Sequence, residues 1–409
     1  MGLLALSLGC GGSVSGLDAS EDANRGEDAD IAEPLCDPET GLAAPVPTCS
    51  PEYPCVRLGN EVVGERLTDP TPRPNCEGLG LSTWEDSESD RTACVATPPG
   101  ASPDSRRPLI LYFHPGGEGG AETLSSTQLV ARHASYDLSG DPERPGFVLA
   151  AIHGRNLHHP TVAPRDGRHH DFYFRDLGYP STNPDIAVVD RLVASFSEVT
   201  DPERIYVMGW SNGGFFGQLY AIARHEDQGA GFQIAAASVF ATGNPFGAIE
   251  HNPFTDLPLT EPRCAIEGVP TSGVPIQLVY RTCDLPVPCN ESQSSCFGEE
   301  PGYQTAQWLR DASRVLNITP LLINGLEASG RLNADATECH DFGGGCPSTT
   351  SCAATPNAVD CLCFFNHVIW PDGIRDRDGS PQGLDREADM LAFLRDHPRS
   401  IRSAAAEGR

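Results

Sequence analysis

Ser211 stands in Gly209-Trp210-Ser211-Asn212-Gly213, between the apolar run Ile205–Met208 and a segment of helical spacing from Phe215 to Arg224. A serine at a sharp strand-to-helix turn has its hydroxyl pushed clear of the sheet, and the flanking glycines give that turn room. The hydroxyl becomes a nucleophile only if a base takes its proton, a carboxylate orients the base, and N–H donors receive the charge on the attacked oxygen. Those partners are the next residues to find.

In strand-turn-helix sites of this kind the order along the chain is Ser, acid, His, each in a loop after a strand. Of the histidines after residue 284, His397 ends the last helical segment and His340 lies in the cysteine-rich stretch Glu338-Cys339-His340-Asp341. His367 lies in the turn-rich Asn366-His367-Val368-Ile369-Trp370-Pro371-Asp372 just ahead of that helix, and is the expected base, with His340 its rival. The strand-like Pro275–Tyr280 delivers Asp284 at its C-terminal side, the expected acid; Asp256 and Asp311 read as solvated carboxylates. One oxyanion donor is the N–H of Asn212. The other is Gly116 or Gly117 in His114-Pro115-Gly116-Gly117, because Pro115 has no N–H. Trp210, Trp370 and His114 flank these groups and are expected to contact substrate; Tyr173 and Phe174 could extend an aromatic wall.

These residues need a frame. From residue 106 onward, strand patterns alternate with helix patterns: Leu109–Phe113, Phe147–Ile152, a helix from Pro184 to Val199, the serine turn, then Ile234–Phe240 and Ile276–Tyr280. A helix over Tyr303–Leu316, a strand over Pro320–Ile323 and an amphipathic helix over Leu384–Leu394 continue the pattern. Such alternation predicts an α/β fold, a mostly parallel sheet with helices on both faces. The predicted organisation is a signal-like segment over 1–10, an acidic tether over 11–35, a Cys- and Pro-rich, disulfide-held arm over 36–105, the catalytic domain over 106–400 and a tail over 401–409.

Composition removes whole classes of function. The chain of 409 residues carries a formal charge of −28, which argues against nucleic acid and anionic lipid as partners. It contains no lysine, so Walker phosphate loops, Schiff-base cofactors and Ser-Lys pairs are excluded, and no cofactor is expected. Fifteen cysteines without a paired C-x-x-C array point to an oxidising, extracytoplasmic location. Met1-Gly2-Leu3-Leu4-Ala5-Leu6-Ser7-Leu8-Gly9-Cys10 is similar to the end of a bacterial lipoprotein signal, so Cys10 is a candidate lipid anchor; an incidental Cys10 in a secretory signal is the alternative. No run is long enough to span a bilayer. Beyond Cys10 the arm holds Cys36, Cys49, Cys55, Cys76 and Cys94, an odd number, and the remaining cysteines all follow residue 263. Full oxidation within the chain therefore requires a bridge from arm to catalytic half.

The stretch Asp201-Pro202-Glu203-Arg204-Ile205-Tyr206-Val207 through Ser211-Asn212-Gly213-Gly214, with Asn183-Pro184-Asp185-Ile186 before it, resembles the extracellular poly(3-hydroxybutyrate) depolymerase and feruloyl esterase group of α/β-hydrolases. Asp284-Leu285-Pro286 is similar to that group's acid loop, and His367 with Trp370-Pro371 to its histidine loop. The resemblance implies an α/β-hydrolase fold and hydrolysis of a carboxylic ester, in a polyester or a feruloyl- or acetyl-bearing polysaccharide, by Ser211, His367 and Asp284 through an acyl-enzyme. The chain departs from the group at Tyr280-Arg281-Thr282-Cys283, at the His367–Trp370 spacing and at Pro115, which bear on the pocket.

Two other readings stand beside it. His153, His158, His159, His169 and His170 form a dense cluster able to bind zinc or copper, although without the helical H-E-x-x-H spacing. A surface lipoprotein using the fold only for binding is the other, and the intact Ser211, Asp284 and His367 weigh against it.

Overall fold

A computed structural model describes residues 75–117, 119–157, 167–170, 172, 180–226, 229–243, 245, 272–281, 316–323, 367, 369–372 and 385–399. Its strands are β1 (Ser82–Glu85), β2 (Thr92–Ala96), β3 (Arg107–Phe113), β4 (Val148–Ile152), β5 (Arg155–Leu157), β6 (Gly167–His169), β7 (Thr200–Trp210), β8 (Ala236–Phe240), β9 (Ser272–Arg281) and β10 (Leu316–Ile323). The helices used below are α1 (Gly120–Leu124), α2 (Leu129–Arg132), α3 (Pro184–Ser195), α4 (Asn212–Glu226) and α5 (Arg386–Asp396).

Eight strands form one sheet in the order β1-β2-β4-β3-β7-β8-β9-β10. The β1–β2 and β2–β4 pairings are antiparallel and all the others parallel. From β3 the chain crosses to β4 on one side and later returns to β7 on the other, so the strand order reverses around β3. Open α/β sheets bind ligands outside the carboxyl ends of the strands at such a point. This sheet order, with helices on both faces and a serine turn between β7 and α4, is the α/β-hydrolase fold.

Alternation along buried strands feeds two cores. Leu109, Leu111 and Phe113 of β3, with Val207 of β7 and Val239 of β8, pack against Ile186, Val189 and Leu192 of α3 and Phe216 and Leu219 of α4. The intervening Ile110 and Tyr112, with Met208 and Phe240, pack on the opposite face with Leu124, Met390, Leu391 and Leu394. Period-2 alternation produces this division, and both faces are apolar because both are covered.

The boundary expected at residue 106 moves. β1 and β2 belong to the main sheet, with β2 paired to β4 from Ala93↔Ile152 to Ala96↔Leu149, so residues 82–96 are part of the hydrolase domain. Cys76 and Cys94 are bonded to each other and buried, which fastens the chain before β1 to β2. That pairing leaves Cys36, Cys49 and Cys55 of the arm, still an odd number, so the requirement for a bridge to the C-terminal half is unchanged. Those three cysteines, Cys10, the expected helix over Tyr303–Leu316 up to 315, Tyr173, Phe174 and His340 lie outside the described residues. Among the described residues no helix is long and apolar enough to cross a membrane.

Buried cations in this lysine-free chain are arginines held by several bonds at once. Arg91 donates to the His153 carbonyl through Nε (3.0 Å) and Nη2 (2.6 Å) and pairs with Asp185 at the start of α3. Although burial opposes ionisation of Asp185, Arg91 and Arg155 hold its carboxyl below the usual range. Asn183 caps α3 by accepting from Asp185 N (2.8 Å), with Pro184 at the first turn.

Candidate active site

Ser211 is held by its backbone. Its φ is 52°, in the left-handed region that a non-glycine residue occupies only under constraint. Its N–H donates to Phe240 O on β8 (3.0 Å), and its carbonyl accepts from Gly214 N (2.8 Å) and Phe215 N (3.0 Å), so the residue closes β7 and opens α4 at once. Close approach explains the neighbouring glycines: a Cβ on Gly209 would run into the Gly213 carbonyl, and a Cβ on Gly213 into that of Phe113.

His367 meets this serine from the far end of the chain. Its Nε2 lies 2.7 Å from Ser211 Oγ, within hydrogen-bond reach. Its carbonyl accepts from Trp210 Nε1 (2.8 Å), so the residue before the serine grips the backbone of the histidine. Trp370, three residues on, is buried between Tyr112, Trp210 and Phe240 at ring-centroid distances of 6.0, 5.5 and 5.6 Å. Its Nε1 donates to Glu387 Oε2 (2.6 Å). Pro371 O accepts from Arg386 N (2.9 Å) and Glu387 N (3.0 Å), and Gln128 Nε2 donates to Asp372 Oδ2 (3.2 Å). Asp284 lies outside the described residues. β9 ends at Arg281, three positions earlier in sequence, and runs parallel to β8, which is parallel to β7.

The glycine loop after β3 lies beside the serine turn: a Cβ on Gly116 would sit 3.5 Å from Asn212 Cβ and 2.9 Å from the His169 ring. Gly117 N already donates to Arg168 O (2.8 Å), so of the two expected glycines Gly116 is the one suited to an oxyanion. Asn212 holds β6 in place through its side chain, whose Oδ1 accepts from His170 N (2.8 Å) and whose Nδ2 donates to His170 O (3.1 Å). Residues 168–170 thereby connect the two segments that carry the donors.

The residues expected to contact substrate take other roles. Trp210 is only 4% exposed and Trp370 is wholly buried, and both indole N–H groups are bonded within the protein. Buried His114 accepts from Gly154 N at Nε2 (2.8 Å), which places its proton on Nδ1, facing Pro115 O (2.6 Å). These three side chains brace the site from the core; the indole N–H groups bond to the His367 carbonyl and to Glu387 because they need partners when buried.

The histidine cluster is internal too. His114 and His170 have ring centroids 4.5 Å apart, and His170 stacks on Phe216 at 5.3 Å. Burial lowers the basicity of His114 to about 3 and depresses His153 and His170 as well, so all three imidazoles stay neutral. His153 Nδ1 accepts from Gly120 N (3.1 Å). The only metal-like grouping among the described residues is Cys76, Cys94 and His153, and its two sulfurs are joined to each other, which removes the thiolates a metal would need. His158 and His159 lie outside the described residues.

Sequence reasoning missed Glu387, Gln128 and Asp372. Glu387 is fully buried, with its carboxyl pushed up to about 7 by that burial.

The chain matches no family model and no curated protein. Among solved structures it is similar to an esterase of the planctomycete Thermogutta terrifontis, at 17% identity and a TM-score of 0.36 over 60% of this chain and 82% of that one. It is also similar to a carboxylesterase from Mesorhizobium loti, at 12% identity and a TM-score of 0.34 over 59% of this chain and 89% of that one. Likenesses this distant leave the fold to rest on the chain's own sheet order and serine turn.

Proposed function

We propose that this protein is a serine hydrolase of carboxylic esters. The observation that carries the reading is Ser211, strained at φ 52° on the β7–α4 turn, with its Oγ 2.7 Å from His367 Nε2. His367 takes the hydroxyl proton as Ser211 Oγ attacks the ester carbonyl. Asn212 N–H, at the positive end of α4, and Gly116 N–H receive the oxyanion. His367 then protonates the departing alcohol, leaving an acyl-serine. A water deprotonated by His367 releases the acid and restores the hydroxyl. Asp284 is proposed as the carboxylate that fixes the imidazole, on chain order and its place after β9.

The proposed substrate is an ester carried on a polymer, a polyester or a feruloyl- or acetyl-substituted polysaccharide; the sequence resemblance around Ser211 supports this choice. Extracytoplasmic location is supported by the cysteine content and by the Cys76–Cys94 bond, and anchoring through a lipid on Cys10 by the apolar segment before it. Turnover of p-nitrophenyl acetate and methyl ferulate, with labelling by a fluorophosphonate, tests the reading. Ser211→Ala and His367→Ala are each expected to lose on the order of 10⁴-fold in turnover while staying folded. Full activity in His367→Ala would transfer the base role to His340, and a chelator-sensitive activity without labelling would favour the histidine cluster instead.

A further inference from the structure

Several of the contacts that hold the His367 segment in place converge on one buried carboxylate. Glu387 Oε2 accepts both Trp370 Nε1 (2.6 Å), from the histidine loop, and Gln128 N (2.9 Å), from the turn before α2. Its backbone N–H also donates to Pro371 O (3.0 Å). Arg132 Nη1 faces Oε1 at 3.5 Å, beyond good hydrogen-bond geometry, and Oε1 has no hydrogen-bond partner. The other charged groups nearby are Asp385, which pairs with Arg132, and Asp372, which takes the Gln128 amide. Glu387 is thus a joint between three separate pieces of chain.

We infer that Glu387 is a positioning residue for the proposed ester hydrolysis, acting in its ionised form through Trp370 to keep His367 in reach of Ser211. The inference rests on the serine-hydrolase reading. Its chemical basis is the donor set: two N–H groups and a guanidinium face the carboxylate, and none of the three can accept a hydrogen bond from a protonated carboxyl O–H. A neutral acid would aim its O–H at Arg132. Burial draws the ionisation of this group up to about 7. Part of the pH dependence of turnover is therefore assigned to Glu387, whose ionised form favours activity as pH rises.

The test is the pH dependence of p-nitrophenyl acetate turnover, with fluorophosphonate labelling rates, for the wild type, Glu387→Gln and Trp370→Phe. Wild-type kcat is expected to carry a rise centred near pH 7. Glu387→Gln, neutral at every pH, is expected to lose that rise and to reach roughly a tenth of the wild-type kcat at pH 8, with KM within about twofold. Trp370→Phe keeps a ring but removes the donor, and the same fall in kcat is expected. If Glu387→Gln fails to fold, the kcat and pH profile of Trp370→Phe decide the matter. Wild-type kcat in the variants, or the same pH profile in the variants as in the wild type, overturns the inference while leaving the ester hydrolase standing. A wild type that neither turns over ester nor takes the label overturns both.

Discussion

The two catalytic candidates are held by different means. Ser211 is fixed by main chain, through a left-handed φ, bonds to Phe240 and Gly214, and glycines that let carbonyls approach where a Cβ could not. His367 is fixed by side chains, through Trp210 on its carbonyl, buried Trp370 three residues on and Glu387 bonded to that indole. A site half built from backbone sterics fails abruptly when changed. The half built from a chain of side chains fails by degrees and responds to pH.

Gly213→Ala should separate the halves most sharply. Its Cβ would meet the Phe113 and His114 carbonyls, rigid main chain with nowhere to move, so the serine turn between β7 and α4 must open. A loss of about 3 kcal/mol or more in stability is expected, together with loss of fluorophosphonate labelling. Denaturant unfolding checks it, and a folded, fully labelled variant would mean that the serine half is looser than its contacts imply.

How much of this was legible in sequence follows the same division. Gly209, Ser211 and Gly213 could be read directly because local sterics dictate them, and the buried strands because both of their faces are apolar. β1 and β2 were missed: Ser82–Glu85 is an edge strand with mostly exposed residues, and Thr92–Ala96 is short and made of small side chains, so neither alternates clearly. Gly116 and Gly117 could not be told apart, because the distinction depends on where Arg168 O falls after folding. Trp210 and Trp370 read as substrate contacts for want of any sign of their N–H partners. Glu387 left a trace, since with Met390, Leu391 and Leu394 it completes the i, i+3, i+4, i+7 stripe of the buried face of α5. A glutamate in a first helical turn reads as a solvated acid, and only its partners reveal otherwise.

That glutamate should also show in stability. Its carboxyl is pushed up to about 7 in the folded protein, from an ordinary value of 4.5, so between those limits the native state holds a proton that the unfolded chain gives up. The stability this contributes is present below pH 4.5 and lost as pH rises through 7. Relative to Glu387→Gln, the wild type is expected to become less stable across that window by up to about 3 kcal/mol, with the difference constant above it. Urea unfolding at pH 5 and pH 8 measures it, and parallel behaviour of the two proteins would remove Glu387 from the titrating groups. Activity and stability would then pull in opposite directions at one residue, the ionised form being the worse for folding and the better for holding the histidine loop.

The smallest effect is expected at Asn212, where the serine half borrows the method of the other. Its main-chain N–H is a proposed oxyanion donor, and its side chain makes two bonds to the backbone of His170, next to the segment whose Arg168 O fastens Gly117. Asn212→Ala keeps the N–H and removes only the tie. If backbone sterics alone place the oxyanion donors, turnover should not change. If residues 168–170 set the spacing between the Asn212 and Gly116 segments, kcat should fall roughly fivefold with KM unchanged, the value of about one net hydrogen bond. Asn212→Asp is the sharper probe, because its carboxylate can still accept from His170 N but repels His170 O and puts negative charge beside the forming oxyanion. It should therefore be slower than the alanine variant. Equal rates for both would show that charge near the oxyanion is already screened, and a loss in Asn212→Ala as large as that in Trp370→Phe would mean that the serine depends on side-chain ties as much as the histidine does.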